Sequence, residues 1–410
     1  MLVLVEPLPF PFDTRVRAQA EALVAAGHEV TVICPAGFGF NAPWETVDGV
    51  SVRRFTMPEG GRGALGYLRE YGQAMLRMAR LVRSVRRERV VDVCLVCNPP
   101  DLLVALTLSL RRHGTRVVLD FREISPELYE AKFGGRGSVL HRLLLASERF
   151  AFRHADVVVT VSEPCAAIAR DRGGIDPSRI FLVGNGPDAR RIHPVDPRPE
   201  LRRGRAHLVL WLGAMSEQEG LGRLVEAADH LVNTLGRDDV TFAVVGPGDV
   251  HRQLRRQIAA RGLQEVVQLS GPVGDELVRA YMATATVCVG VDQRNDMNDR
   301  AAMRKILEYM AMGRAVVQFP LQEMHRLCGG STLYARDADA RHLAEQVARV
   351  LDDTQLRGEL ETAARARVSE GLMWHHQAPR LLAAVHTALG SATPPPAPRP
   401  SGRSPCSRAL

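Results

Sequence analysis

The sequence predicts an α/β protein of two domains, each an open parallel sheet with helices on its faces. Three observations carry this reading. The 410-residue chain is too long for one ordinary core and suits two of near equal size. Apolar runs of strand length alternate with amphipathic stretches of helical length, the order that builds parallel sheets. A Pro/Arg-rich segment at 194–205 (PVDPRPELRRGR) interrupts the alternation near the middle and reads as a linker. Hydrophobic residues make up 46% and charged residues 24%, so both halves can bury ordinary cores.

In the first half, Met1 to Val5 reads as a strand and PLPFPFD as a loop. Thr14 to Ala26 reads as a helix, with Asp13 or Thr14 as N-cap and Gly27 as its stop. Strands follow at His28 to Cys34 and Val50 to Phe55. Leu68, Tyr71, Met75, Met78, Val82 and Val85 then mark a long amphipathic helix with seven arginines between Arg69 and Arg89. Two readings stay open for it: a solvated helix whose apolar stripe packs on the sheet, or attachment to an anionic membrane surface. After it come the strand VVDVCLVC, the loop NPPD, a helix, and the strand TRVVLDF, which ends in Arg122-Glu123. Arg122 could hold a phosphate or hydroxyl bidentately, with Glu123 fixing it; the alternative is a structural ion pair at a strand end. The strand Ala155 to Val161, a helix, and RIFLVGNGPD complete this half.

The second half opens with the strand LVLWLGAM and the helix LGRLVEAADHL, followed by TFAVVGPGD and VVQLSG. Gly246-Pro247-Gly248 gives only GxG, too little for a nicotinamide site. The informative stretch is Asn295 to Gln318, NDMNDRAAMRKILEYMAMGRAVVQ. It follows the strand Ala285 to Val291, crosses a polar loop, enters a helix, stops at Gly313 and resumes as strand. Such a loop lies at the carboxyl end of a strand, where open parallel sheets bind ligands. Met303, Ile306, Leu307 and Met310 recur at helical spacing, which leaves Arg304, Lys305 and Glu308 towards the loop.

Net charge is +7, favouring anionic partners in general. Lysine occurs only at Lys132 and Lys305, so the abundance of arginine argues little for nucleic acid. Seven cysteines spread through the chain make no disulfide framework and suggest a reducing interior. Cys94 and Cys97 form a CxxC, but within a strand their side chains point to opposite faces and read as core. MLVLVE is a strand rather than a signal sequence, and no apolar run is long enough to span a membrane. The expectation is a cytoplasmic protein, possible at the inner membrane face.

Four segments, PFDTRV, SPELYEAKFG, NGPD and KILEYMAMG, together resemble the family 4 glycosyltransferases over roughly Met1 to Leu389. The resemblance implies the GT-B fold, two Rossmann-like doubly wound domains facing a cleft. Residues 1–187 would be the acceptor side, 188–370 the nucleotide-sugar side, 371–389 a helix crossing back, and 390–410 a disordered tail. It implies transfer of a sugar from a nucleotide sugar to a hydroxyl on a glycan or lipid-linked acceptor, with retention, without metal or other cofactor. By the same resemblance, Glu308 holds the donor ribose, with Arg304, Met303, Val273 and Gly213 as further donor-binding positions; Arg300 joins them as a candidate cation of this chain's own. Lys305, Arg122 and Glu123 are the catalytic candidates, and Asp13 and Arg15 lie on the acceptor side.

The chain departs from the family pattern at the site. Arg300 stands eight residues before Glu308, where an acid is usual. Ala214 and Glu219 stand where many members carry Arg and Lys, and Ala301 and Ala302 replace Ser and Thr of the nearest branch. Any diphosphate would then rely on helix-start amides around Ala302 to Arg304 and on Arg300, Arg304 and Lys305. These departures keep a second expectation in play, a non-catalytic GT-B protein that binds a nucleotide sugar or a partner glycosyltransferase.

Overall fold

Runs such as Leu2–Val5 and Val93–Cys97 are buried at every position, as strands covered on both faces must be. The structure, a computed structural model, describes residues 1–57, 63–133 and 135–390, without the side chains of 63–70 and Lys132. The expected tail at 391–410, and Leu68 and Arg69 of the amphipathic stripe, therefore lie outside the described side chains.

The first sheet contains β1 (Leu2–Val5), β2 (Thr31–Pro35), β3 (Trp44–Val47), β4 (Val50–Phe55), β5 (Val93–Cys97), β6 (Arg116–Phe121), β7 (Val157–Thr160) and β8 (Ile180–Leu182). Their order is β3-β4-β2-β1-β5-β6-β7-β8. All neighbours are parallel except β3, which runs antiparallel to β4 through a two-residue turn at Asp48 and Gly49, both at positive φ. The second sheet, all parallel, contains β9 (His207–Leu212), β10 (Val240–Val245), β11 (Val267–Gly271), β12 (Val287–Gly290), β13 (Val316–Gln318) and β14 (Leu333–Tyr334). Its order is β11-β10-β9-β12-β13-β14. Strand order reverses between β1 and β5 in one sheet and between β9 and β12 in the other. The crevices outside the carboxyl ends of these strands are where doubly wound sheets take ligands.

Each sheet is sandwiched between two apolar clusters. Cys94 packs with Leu2 and Val96 on one face of the first sheet, and Cys97 with Val3 and Val5 on the other. Burial pushes the Cys94 thiol up to about 12, as expected of a core residue. The helix Gly63–Glu88 places Ala74, Met78, Val82 and Val85 in the cluster that contains Leu2. Its apolar stripe is thus packed on the sheet, while Tyr71, expected in that stripe, is 42% exposed.

The observed elements differ from the sequence reading at three places. The segment SPELYEAKFG, given no element in the sequence reading, starts a helix at Ser125 that runs to Phe133, because Pro126 suits a first helical turn. After NPPD, the helix is a 3-10 turn at Asp101–Thr107 followed by one short α-turn at Leu108–Arg111. The central helix begins at Arg304, with Met303 as N-cap, and ends at Ala311. The last helix, Trp374–Ala388, contributes Trp374, Leu381, Ala384 and Val385 to the core of the first domain. Among the described residues no helix is long and apolar enough to cross a membrane.

Candidate active site

The first helix, Thr14–Ala25, is capped by Asp13, whose Oδ1 accepts from the amides of Arg15 and Val16, both at 3.1 Å. Its Oδ2 accepts from Arg122 Nη1 at 2.9 Å, so one carboxylate ends a helix and fixes the arginine after β6. Burial raises the Asp13 carboxyl, but Arg122 and the helix amide of Val16 outweigh it and hold the group below the usual range. Asp13 is therefore a carboxylate that fixes Arg122, a partner the sequence reading had not paired with it.

Asn98, fully buried after β5, completes this corner. Its Oδ1 accepts from the amides of Arg122 (2.6 Å) and Glu123 (3.2 Å), and its backbone oxygen accepts from Arg122 Nε (2.9 Å). Sequence reasoning passed over Asn98 as part of a loop. An Asn at the carboxyl end of a strand beside the switch point was the available signal.

Arg15 does not face the cleft. Its Nε and Nη2 hold Asp120 at 3.0 and 2.7 Å, and Nη1 reaches Asn185 Oδ1 at 2.9 Å. With its side chain 6% exposed, it ties the first helix to β6 and to the segment between domains. This corrects its place on the acceptor side: the buried Asp120 charge needs a counter-charge, and Arg15 provides it.

In the second domain, Lys305 Nζ donates to Glu219 and, at 3.0 Å, to Asp292 Oδ1, and lies 4.7 Å from the Trp211 ring centroid. The backbone explains the convergence. Gly220 has φ 69°, and a Cβ there would meet the Val291 carbonyl oxygen at 2.0 Å, so only glycine lets Glu219 approach the loop after β12 that carries Asp292. Burial, with Asp292 nearby, pushes the Glu219 carboxyl up to about 7 despite Lys305. Lys305 stays charged, since two carboxylates outweigh its burial. Lys305 is thus neutralised within the protein, which removes it from the free cations expected for a diphosphate.

Glu308 is buried one turn into the central helix and accepts from Arg191 and, at 2.8 Å, from Arg304 Nε. Both donors use Oε1, and among the described residues no donor reaches Oε2. Arg191 also holds Asp275 Oδ1 at 3.1 Å. Met303 spends its amide on Met324 Sδ at 3.0 Å, so the helix start offers fewer open amides than expected.

Arg300 faces away from this group. It reaches Glu127 Oε1 in the first domain at 3.3 Å, and its backbone oxygen accepts from Ser162 Oγ at 2.7 Å. It joins the domains because Glu127, held by Arg172 at 2.8 Å, is the nearby acid. Gly213 and Val273 follow β9 and β11; Val273 packs on the second-domain core, and Gly246 faces the Gly213 carbonyl so closely that an added Cβ would sit 2.0 Å from it. The GxG glycines therefore serve loop packing. Among the described residues no group of three or more His, Cys, Asp or Glu could hold a metal ion.

Two doubly wound domains meeting at a cleft define the GT-B class. Two family profiles match in succession, a glycosyl transferase 4-like domain over residues 13–186 and glycosyl transferases group 1 over residues 206–353. Between them they span most of the chain, which belongs to the glycosyltransferases. It is 27% identical over 274 residues to the putative colanic acid biosynthesis glycosyl transferase WcaI of Escherichia coli (strain K12), covering 60% of this chain and 64% of that protein. It is 26% identical over 262 residues to the 2-deoxystreptamine glucosyltransferase of Streptomyces kanamyceticus, covering 62% and 66%. The chain thus spans somewhat under two thirds of either relative. In fold it is similar to sucrose-phosphate synthase from Thermosynechococcus elongatus, with a TM-score of 0.78, 17% identity and coverage of 95% and 98%. It is also similar to Anabaena HepE in complex with UDP-glucose, with a TM-score of 0.71, 16% identity and coverage of 94% and 99%.

Proposed function

We propose that the protein transfers a glycosyl group, with retention, from a nucleotide sugar to a hydroxyl of a glycan or lipid-linked acceptor, in the synthesis of a polysaccharide or glycoconjugate. The observation that carries this is Glu308. It is buried at the second-domain switch point, its Oε1 is held by two guanidiniums, and its Oε2, which no donor among the described residues reaches, can accept from a group such as a ribose hydroxyl. The likeness to HepE, whose complex holds UDP-glucose, supports a nucleotide sugar.

In the reaction, the acceptor oxygen bonds to the anomeric carbon on the face from which the diphosphate departs, and the bond from that carbon to the phosphate oxygen breaks. The acceptor proton passes to the leaving diphosphate, so no protein nucleophile or metal is needed. Cations near the leaving oxygen stabilise its growing charge. Arg122, fixed by Asp13 and Asn98, lines the acceptor side. Glu308→Gln keeps the volume and removes the charge. Calorimetry with UDP and GDP is expected to show binding to wild type and a loss of about 1–3 kcal/mol in the variant. Equal affinities would sink the donor-site assignment.

One observation favours the non-catalytic reading: Lys305, the cation matched by the family motif, is engaged by Glu219 and Asp292. Under it, nucleotide binds but no nucleotide sugar turns over. We also propose a cytoplasmic setting with peripheral contact to anionic membranes, supported by exposed Arg80, Arg83 and Arg87 outside the packed stripe.

A further inference from the structure

With Lys305 neutralised, and with Ala214 and Glu219 in place of a basic pair, a nucleotide diphosphate needs another counter-charge. A cavity of about 220 Å³ lies between the two domains, bounded by Thr14 and Arg17 of the first helix and by Arg191, Arg279 and Arg304 of the second domain. This is below the roughly 300–1,000 Å³ of a site that encloses a whole drug-sized ligand, so it suits one charged part of a ligand.

Most guanidiniums around it are already matched. Arg17 holds Glu21 at 2.7 Å, Arg190 holds Asp188 at 2.6 Å, and Arg191 and Arg304 share Glu308. Arg279 is different. Among the described residues it makes no ion pair, and its Nη1 donates only to the Arg191 carbonyl oxygen, at 3.1 Å. The Nε groups of Arg279 and Arg191 are both buried and, among the described residues, have no acceptor. Two adjacent cavity-lining guanidiniums thus carry unused donors, and Arg279 makes no ion pair among the described residues: Asp275, the acid one turn before it on its own helix and also at the cavity wall, is held by Arg191 at 3.1 Å. Buried N–H groups of this kind are normally satisfied, and phosphate oxygens are strong acceptors for arginine.

We propose that Arg279 and Arg191 form a phosphate-binding site in this cleft, which takes the diphosphate in place of the absent basic pair. The inference rests on the nucleotide-sugar reading for its ligand, while the site itself requires only a phosphate group, from either the donor or a phosphorylated acceptor.

Arg279→Ala tests it, since Arg279 is half-buried, unpaired and outside both cores. UDP, uridine and inorganic pyrophosphate are titrated calorimetrically into wild type and variant. The expected result is a loss of at least about tenfold for UDP and pyrophosphate, as for removal of a charged hydrogen bond, with uridine unchanged. Arg279→Lys is expected to recover part of it. Loss for UDP assigns the phosphate to the donor; loss for pyrophosphate with UDP unchanged assigns it to the acceptor. Loss for pyrophosphate in a protein whose wild type binds no nucleotide keeps the site and removes the nucleotide-sugar reading. Unchanged affinity for UDP and pyrophosphate, or an equal loss for uridine, overturns the proposal.

Discussion

The positions that decide this site are those where a charge is satisfied by one partner and open to another. Glu308 has one oxygen engaged and one open, whereas Lys305 has both neighbouring carboxylates upon it. Glu219 makes the second case testable. Its carboxyl is raised by burial to about 7 from an ordinary 4.5. Between those values the folded state keeps a proton that the unfolded state has lost, so this group favours folding at low pH, and stability falls as pH rises from about 4.5 to 7. The component is at most about 3 kcal/mol. Glu219→Gln removes it, so the stability of the variant relative to wild type is expected to improve between pH 5 and pH 8 in urea denaturation. A difference independent of pH would contradict the assignment. Glu308 and Lys305 were legible in sequence because KILEYMAMG is contiguous. Lys305's partners were not, because Glu219 and Asp292 arrive from two other loops, through an approach that depends on the conformation of Gly220.

At the scale of elements, the site is a set of strand ends and helix starts. Strands buried on both faces, such as LVLV and VCLVC, carry their own signal, and alternating helices made the parallel sheets legible. The strand Trp44–Val47 was missed although its Asp48-Gly49 turn is a hairpin signal, because four residues, WETV, are too short a run to show a strand pattern by themselves. Arg15 and Asp13 show a limit of another kind. Two residues apart at one helix start, they serve a buried strut and a cleft pair, and only the direction of each side chain separates them. Asp13→Ala removes an N-cap, worth about 1 kcal/mol, and leaves Arg122 without its carboxylate. Asp13→Asn keeps the capping oxygen and loses the charge. Thermal denaturation is expected to show the Ala variant less stable than the Asn variant, while both lose turnover; equal melting temperatures would remove the capping role.

Across the whole molecule, the two domains share the cleft and are joined by polar contacts such as Arg300 to Glu127, with the last helix returning to the first core. The basic helix Gly63–Glu88 belongs to this scale, since among its described side chains Ala74, Met78, Val82 and Val85 are packed on the sheet while Arg80, Arg83 and Arg87, with Tyr71 and Leu76, remain exposed to a partner. Vesicles containing phosphatidylserine are expected to co-sediment the protein at low salt and release it as salt screens the contact. Pelleting that is absent, or equal with neutral vesicles, would exclude a headgroup contact. The central claim is that the cleft turns over a nucleotide sugar. Its most direct test incubates the full chain with UDP-, GDP-, ADP- and dTDP-linked sugars and measures nucleoside diphosphate release. The expected result is release from one donor class that is lost in Glu308→Gln; binding of a nucleoside diphosphate without release from any of the sugars, with or without glycan acceptors, would contradict it.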